Sequence, residues 1–252
     1  MDLGISGKRV LITGASRGIG RSCALDFARE HCEVTVVSRR EPELTDLVEE
    51  MGGREKGHRF WACDLMRPGQ PTRAFEALSA EEGPFEIIVH NLGGTLGIRD
   101  PLSPMQDWFD VLHFNVGHAM EINALAIPQM QRRKWGRIVH VSSISAEHLR
   151  GSAPYGCAKA YLNAYVKTVG RAFAADGIIM SALMPGAILA EGGYWDDIRK
   201  ENPDKLADFL RSHHAIGRLG SVEEISCFAV FMASKQVSFA AASLVPVDGG
   251  TM

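Results

Sequence analysis

Tyr155 and Lys159 stand four residues apart in Tyr155-Gly156-Cys157-Ala158-Lys159, at the start of a stretch with helical spacing. One helical turn separates them, so both side chains leave the same face. An ammonium beside a phenol favours the phenolate and lowers the phenol's pKa. A tyrosine placed this way can give or take a proton near neutral pH, where a free phenol titrating at about 10 is sluggish. The same spacing also occurs on solvated helix faces, where it is only a surface contact.

A second pattern lies near the N-terminus. Thr13-Gly14-Ala15-Ser16-Arg17-Gly18-Ile19-Gly20 follows Lys8-Arg9-Val10-Leu11-Ile12, which reads as a buried strand, and precedes a helical pattern over Ser22 to Ala28. A strand, a glycine-rich turn and a helix make the first half of a dinucleotide-binding unit. The glycines let the backbone approach a pyrophosphate whose charge sits on the helix N-terminus. The glycine spacing differs from G-x-G-x-x-G, with three residues between the first two glycines and one between the last two.

These residues need a frame, and the rest of the chain supplies one. Further strands are read at Val34 to Val37, His58 to Ala62, Glu86 to His90, Arg137 to Val141 and Ile178 to Leu183, with helical stretches between them. Such alternation implies right-handed crossovers and a parallel sheet covered on both faces. A doubly wound α/β domain follows. Ligands in such a sheet bind beyond the C-terminal strand ends, where the glycine turn, Ser143 and Pro185-Gly186 fall.

In sum, the chain resembles the short-chain dehydrogenase/reductase family along nearly its whole length. The matching points are the Thr13 to Gly20 turn, Asp64-Leu65, Asn91-x-Gly93, Asn115, Ser142-Ser143, the Tyr155/Lys159 pair, Pro185-Gly186, and Val247-Asp248-Gly249-Gly250. The resemblance implies one Rossmann-fold domain over residues 1–252, with a mobile lid at about 187–216. It implies an oxidoreductase in which Tyr155 is the general acid or base and Lys159 lowers its pKa and holds the nicotinamide ribose. A serine at the end of the fifth strand polarises the substrate oxygen. The strand pattern selects Ser143, whereas counting back from Tyr155 selects Ser142. Asn115 is implied to kink its helix and to link Lys159 to solvent through a water.

The same resemblance places the cofactor against Gly14, Ser16, Arg17, Gly18, Ile19 and Gly20, against Asp64, Leu65, Asn91 and Gly93, and against Tyr155, Lys159, Pro185, Gly186 and Ile188. An acidic residue after strand two would select the adenosine 2′-hydroxyl. Here Ser38-Arg39-Arg40 stands there, and guanidinium groups bind phosphate in a charge-assisted way. NADP(H) is therefore expected over NAD(H), with Arg17 and Arg39 as leading contacts. Departures from the family pattern include His90, expected to disturb a backbone-bracing asparagine bond, and Ala190, which cannot make the usual threonine bond to the carboxamide.

The lid region is polar and aromatic. His148 and Arg150, with Trp195, Arg199, His213 and His214, are candidate substrate contacts, and equally candidates for plain solvated surface. A carbonyl or secondary alcohol is the expected substrate. Two alternatives stand beside this: a 3-ketoacyl-thioester reductase served by an acidic carrier, and a nucleotide-sensing protein without chemistry.

Bulk properties exclude other classes. A net charge of −3 gives no electrostatic case for nucleic acid. No apolar run reaches bilayer length, and residues 1–6 lack a signal pattern, so a cytoplasmic protein without a membrane partner is expected. Five cysteines, Cys23, Cys32, Cys63, Cys157 and Cys227, lack metal spacing and read as buried free thiols. A homotetramer, or a homodimer, is expected, with Phe228 to Met232 and Ala240 to Ser243 as packing surfaces.

Overall fold

Runs such as Val34-Thr35-Val36-Val37 and Ile87-Ile88-Val89 carry β-branched side chains on both faces, which suits strands covered by helices on both sides. The computed structural model describes residues 1–148 and 151–251. The expected strands form as β1 (Arg9–Thr13), β2 (Glu33–Ser38), β3 (Arg59–Ala62), β4 (Ile87–His90), β5 (Gly136–Val141) and β6 (Ile178–Pro185). Between them run α1 (Gly18–Arg29), α2 (Glu41–Glu50), α3 (Gln70–Glu82), α4 (Met105–Leu112), α5 (His118–Arg133), the short α6 (Ser145–His148) and α7 (Ala153–Phe173). The chain continues through β7 (Ile188–Leu189), α8 (Tyr194–Glu201), α9 (Pro203–His213), β8 (Gly220–Ser221), α10 (Glu223–Met232) and β9 (Ser243–Val247).

Seven strands form one parallel sheet in the order β3-β2-β1-β4-β5-β6-β9, and β7 and β8 pair separately. From β1 the chain moves to β2 on one side and later to β4 on the other, so a crevice opens at the C-terminal end of β1. Residues along each strand alternate between two buried layers. Val10, Ile12, Val36 and Val89 join Phe27, Leu44 and Ile225 on one face. Leu11, Ile88, Ile138 and Met180 join Phe75, Leu78, Ile122 and Val166 on the other. Burying each such side chain contributes roughly 1.5–3 kcal/mol, so these layers, rather than surface ion pairs of about 0–1 kcal/mol, fix the strand ends on which the cleft depends.

Two local expectations change. Cys23 and Cys32 are buried, but Cys63 is half-buried and Cys157 and Cys227 are exposed. Cys157 follows Tyr155 by two positions, which turns it away from the core face of α7. Within residues 187–216 lies α9, whose Asn202 cap accepts from the Lys205 N–H at 3.0 Å. Tyr194–Glu201 forms a helix that hydropathy alone did not suggest, because its buried anchor is a carboxylate, Asp196.

Candidate active site

The glycine turn is built around two positions that require glycine. Gly14 and Gly18 have φ of 67° and 58°, and a Cβ on Gly14 would meet the Leu92 Cα at 2.9 Å. Asn91 braces this turn, its Nδ2 donating to the Gly14 carbonyl at 2.8 Å. The expectation that His90 disturbs this brace is not met. His90 points to the other side of the sheet, where its Nε2 lies 2.8 Å from the Asn123 Oδ1. The turn delivers α1 with Arg17 at its cap position and no capping side chain, so its first N–H groups face the cleft, as an anion requires.

The cleft encloses about 410 Å³ beyond the strand ends. At one end it is lined by Ser38, Arg39, Arg40, Asp64 and Leu65, and along its middle by Gly14, Ser16, Arg17, Gly18, Ile19, Asn91 and Gly93. At the far end lie Ser142, Ser143, Tyr155, Lys159, Pro185, Gly186, Ile188 and Trp195. Arg40 is engaged by Glu43 at 3.3 Å. Arg17 Nη1 donates to the Gly192 carbonyl at 2.9 Å, so this guanidinium ties the glycine turn to the segment that follows β7. Gly20 and Asn115 sit behind the wall: a Cβ on Gly20 would meet the Gly14 carbonyl oxygen at 2.5 Å, and Asn115 is buried.

Tyr155 is placed by the start of α7. The Ser152 hydroxyl caps this helix, accepting from the Tyr155 N–H at 3.2 Å while donating to the Ile98 carbonyl at 2.7 Å. Such a cap is worth about 1 kcal/mol and fixes where the first turn begins. Lys159, one turn on, is buried and donates to the Val141 carbonyl at 2.8 Å. Its Nζ lies 5.6 Å from the centre of the Tyr155 ring.

The electrostatics correct the sequence expectation. Burial pushes the Tyr155 phenol up, and the adjacent Ser143 hydroxyl, not the ammonium, is what acts in the lowering direction. Burial also pushes Lys159 down to about 7. Desolvation penalises both charged forms here, opposing a phenolate at Tyr155 and bringing Lys159 into the neutral range.

Asn115 occupies a turn of π-helix, His113–Gly117, between α4 and α5. Its Nδ2 donates to Gly94 O and Val111 O, both at 2.8 Å, and its Oδ1 accepts from Gly94 N at 3.0 Å. A Cβ on Gly93 would meet Asn115 Oδ1 at 2.5 Å and Lys159 Nζ at 3.2 Å. Asn115 and Lys159 therefore converge behind a glycine.

Of the two serines, Ser142 is spoken for, its hydroxyl donating to Asn163 Oδ1 at 2.7 Å. Ser143 accepts from the Ser145 N–H at 3.1 Å and faces Tyr155. Among the proposed substrate contacts, Trp195 lines the cleft and packs on Phe209 with ring centres 4.2 Å apart. The others are placed differently. His148 ends α6 outside the cleft lining among the described residues, and Arg150 lies outside the described residues. Arg199 is held by the buried Asp196, His213 stacks on Phe209, and His214 is buried. Phe114 lines the cleft and was not anticipated; its position beside Asn115 was the available signal.

No described helix is long and apolar enough to cross a membrane, and no described cluster of His, Cys, Asp and Glu could hold a metal ion.

Comparison with known proteins agrees with this architecture. A family model described as enoyl-(acyl carrier protein) reductase matches residues 14–252. The 3-oxoacyl-[acyl-carrier-protein] reductase FabG of Salmonella typhimurium is 30% identical over 252 residues, covering 98% of each chain. L-sorbose reductase from Gluconobacter frateurii, solved with NADPH and L-sorbose, has a TM-score of 0.91 at 29% identity, covering 100% of this chain and 99% of its own. A 3-oxoacyl (acyl-carrier-protein) reductase from Agrobacterium tumefaciens C58, solved with NADP bound, has a TM-score of 0.91 at 27% identity, covering 98% and 95%. With the glycine turn, the sheet order and these matches together, the chain is an oxidoreductase that belongs to the short-chain dehydrogenase/reductase family.

Proposed function

We propose that this oxidoreductase interconverts a small ketone or aldehyde and the corresponding alcohol using NADP(H), with Tyr155 as the proton donor and acceptor. The observation that carries the reading is the convergence of Ser143, Tyr155 and Lys159 at one end of a single cleft whose other end carries Arg39 and Arg40. The cleft fits a dinucleotide on its own residues. Glycines stand where a Cβ would collide with the supporting turn and cleft wall, and the exposed Arg39 guanidinium follows β2 in the lining, suited to a 2′-phosphate. Solved relatives with NADPH or NADP bound support the same choice.

When bound, the nicotinamide supplies or accepts the hydride, which no side chain can carry. The chain's own residues handle the oxygen and the proton. Ser143 donates a hydrogen bond to the substrate oxygen, stabilising the charge that develops there. Tyr155 Oη delivers its proton to that oxygen in reduction and removes it in oxidation. Lys159, held down to about 7, exchanges protons near neutral pH and restores the phenol. Asn115 holds the Gly93-Gly94 backbone against Lys159, and its π-turn supports the proposed water link to solvent. Residues 187–216 serve as the lid, and Trp195 covers the carbonyl end.

A carrier-bound 3-oxoacyl thioester is the second reading, supported by relatives of that activity. Oxidation of NADPH followed at its nicotinamide absorbance, with polyhydroxy ketones in one panel and 3-oxoacyl thioesters in another, decides between them. Turnover of neither panel, with NADPH bound tightly, would favour the sensing alternative and sink the enzymatic reading. The exposed Phe228, Phe231 and Phe239 support assembly of copies into a tetramer or dimer, which light scattering on a sizing column would measure.

A further inference from the structure

The end of β5 and one face of α7 meet residue by residue. The Val141 carbonyl accepts from Lys159 at 2.8 Å. The Ser142 hydroxyl donates to Asn163 Oδ1 at 2.7 Å. The Ser143 hydroxyl faces the Tyr155 phenol across the cleft end. Three consecutive residues at the end of β5 thus meet three α7 residues spaced four apart, two of them through hydrogen bonds, and Asn163 is the one with no role assigned so far. It reaches a third element as well, its Nδ2 donating to Met184 Sδ at 3.1 Å. Met184 directly precedes Pro185 and Gly186 in the cleft wall.

We propose that Asn163 is a positioning residue for the reaction: through Ser142 it holds Ser143 in register with Tyr155, and through Met184 it holds the Pro185-Gly186 edge. The inference rests on the roles given above to Ser143 and Tyr155. Both members of the Ser142–Asn163 bond are buried. A buried polar pair that satisfied only itself would add little over an apolar pair of the same shape. Here the pair sits at the shoulder of the serine that faces the phenol, where a small rotation of the strand end would swing Ser143 away. The Lys159 bond to Val141 does not substitute for it. That ammonium has the ribose and the proton to handle, while the Asn163 amide is committed to protein partners on both sides.

The backbone around Ser143 is also pinned, with Ser142 N donating to Leu183 O at 2.8 Å and Ile144 N to Pro185 O at 3.1 Å. Those bonds set the height of the loop and leave rotation about the strand axis to the side chains. Asn163 controls that rotation from α7. Because the Ser143 contact acts to lower the phenol's pKa against burial, a Ser143 that drifts lets the phenol rise.

The test uses Asn163→Ala, Ser142→Ala and the double variant in the full chain, with Tyr155→Phe in parallel. Each single variant is expected to lower kcat about tenfold, as misplacement of a reacting group does, with KM for NADPH within about twofold. The limb of the pH profile that belongs to Tyr155 should move to higher pH, and the double variant should match the worse single one. An unmoved limb with only a lower melting temperature, or losses that multiply, overturns the proposal. Should Asn163→Ala fail to fold, Ser142→Ala, which removes one oxygen, decides alone. Retained activity in Tyr155→Phe would instead remove the reading on which the proposal stands, so the two failures are separable.

Discussion

His90 on β4 and His140 on β5 lie opposite each other in register, their rings stacked with centres 4.7 Å apart. His118 approaches His90 edge-on at 6.1 Å. All three are buried, and burial pushes His90 down to about 4 and His118 down to about 3, with His140 also far below its usual range. The imidazoles are therefore neutral in the native protein at pH values where an unfolded chain would protonate them.

This relationship sets an acid limit. A folded-state pKa below the unfolded value near 6.5 leaves stability intact above about pH 6.5 and removes it as pH falls toward 4, at up to roughly 1.4 kcal/mol per pH unit for each histidine. Lys159 does not contribute in that window, since it is already protonated in both states below about 7. Asp196 and Glu224, held down to about 2 by their cationic partners, act only at lower pH still. Urea unfolding at pH 7 and pH 4.5 should show a clear fall in midpoint, and a flat profile would count against neutral buried histidines.

Tyr155→Phe should reduce kcat by roughly 10²–10⁴-fold, the range of a lost general acid, while leaving NADPH binding within a few-fold. Stopped-flow turnover together with tryptophan fluorescence titration separates the two effects. Loss of cofactor binding in step with activity would instead place Tyr155 in a structural role.

Arg39 is exposed at the end of β2 in the cleft. Arg39→Ala should weaken NADPH by roughly 1.5–3 kcal/mol, the worth of a charge-assisted bond, and leave NADH nearly unchanged. Calorimetric titration with both cofactors checks this. Equal loss for the two would mean that the guanidinium does not read the 2′-phosphate.

Gly93 is the point where Asn115 and Lys159 converge, and a Cβ there would stand 2.5 Å from Asn115 Oδ1. Gly93→Ala should therefore cut kcat at least about tenfold through displacement of these groups, with circular dichroism unchanged. A fully active variant would show that the convergence has no bearing on turnover.

Much of this frame is legible in the residues themselves. The alternation of β-branched runs with helical stretches gives β1 to β6 to within a residue or two at most ends, because burial on both faces leaves a continuous apolar signal. The glycine turn and the Tyr155/Lys159 face are local, and spacing alone places them. What spacing does not carry is competition between partners across the sheet. Nothing near Ser142 in sequence announces Asn163, twenty-one positions on. Nothing near His90 announces that its ring turns to Asn123 while Asn91 takes the brace. The sign of the shift on Tyr155 likewise depends on desolvation by residues from several elements. Contacts within residues 187–216 are the least legible, since His213, Arg199 and Trp195 share one polar, aromatic stretch and only packing separates them.

The turn of π-helix at His113–Gly117 carries a cost in regularity, since such wide turns are rare and concentrate at functional sites. One surplus residue there rotates everything upstream relative to everything downstream. Deleting a single residue from that turn would give a more regular rod, better formed by the ordinary rules of helices, and would swing Asn115 off Gly94 or pull α5 out of step with its core. An optimiser that rewarded ideal geometry would thus repair the defect and lose the enzyme.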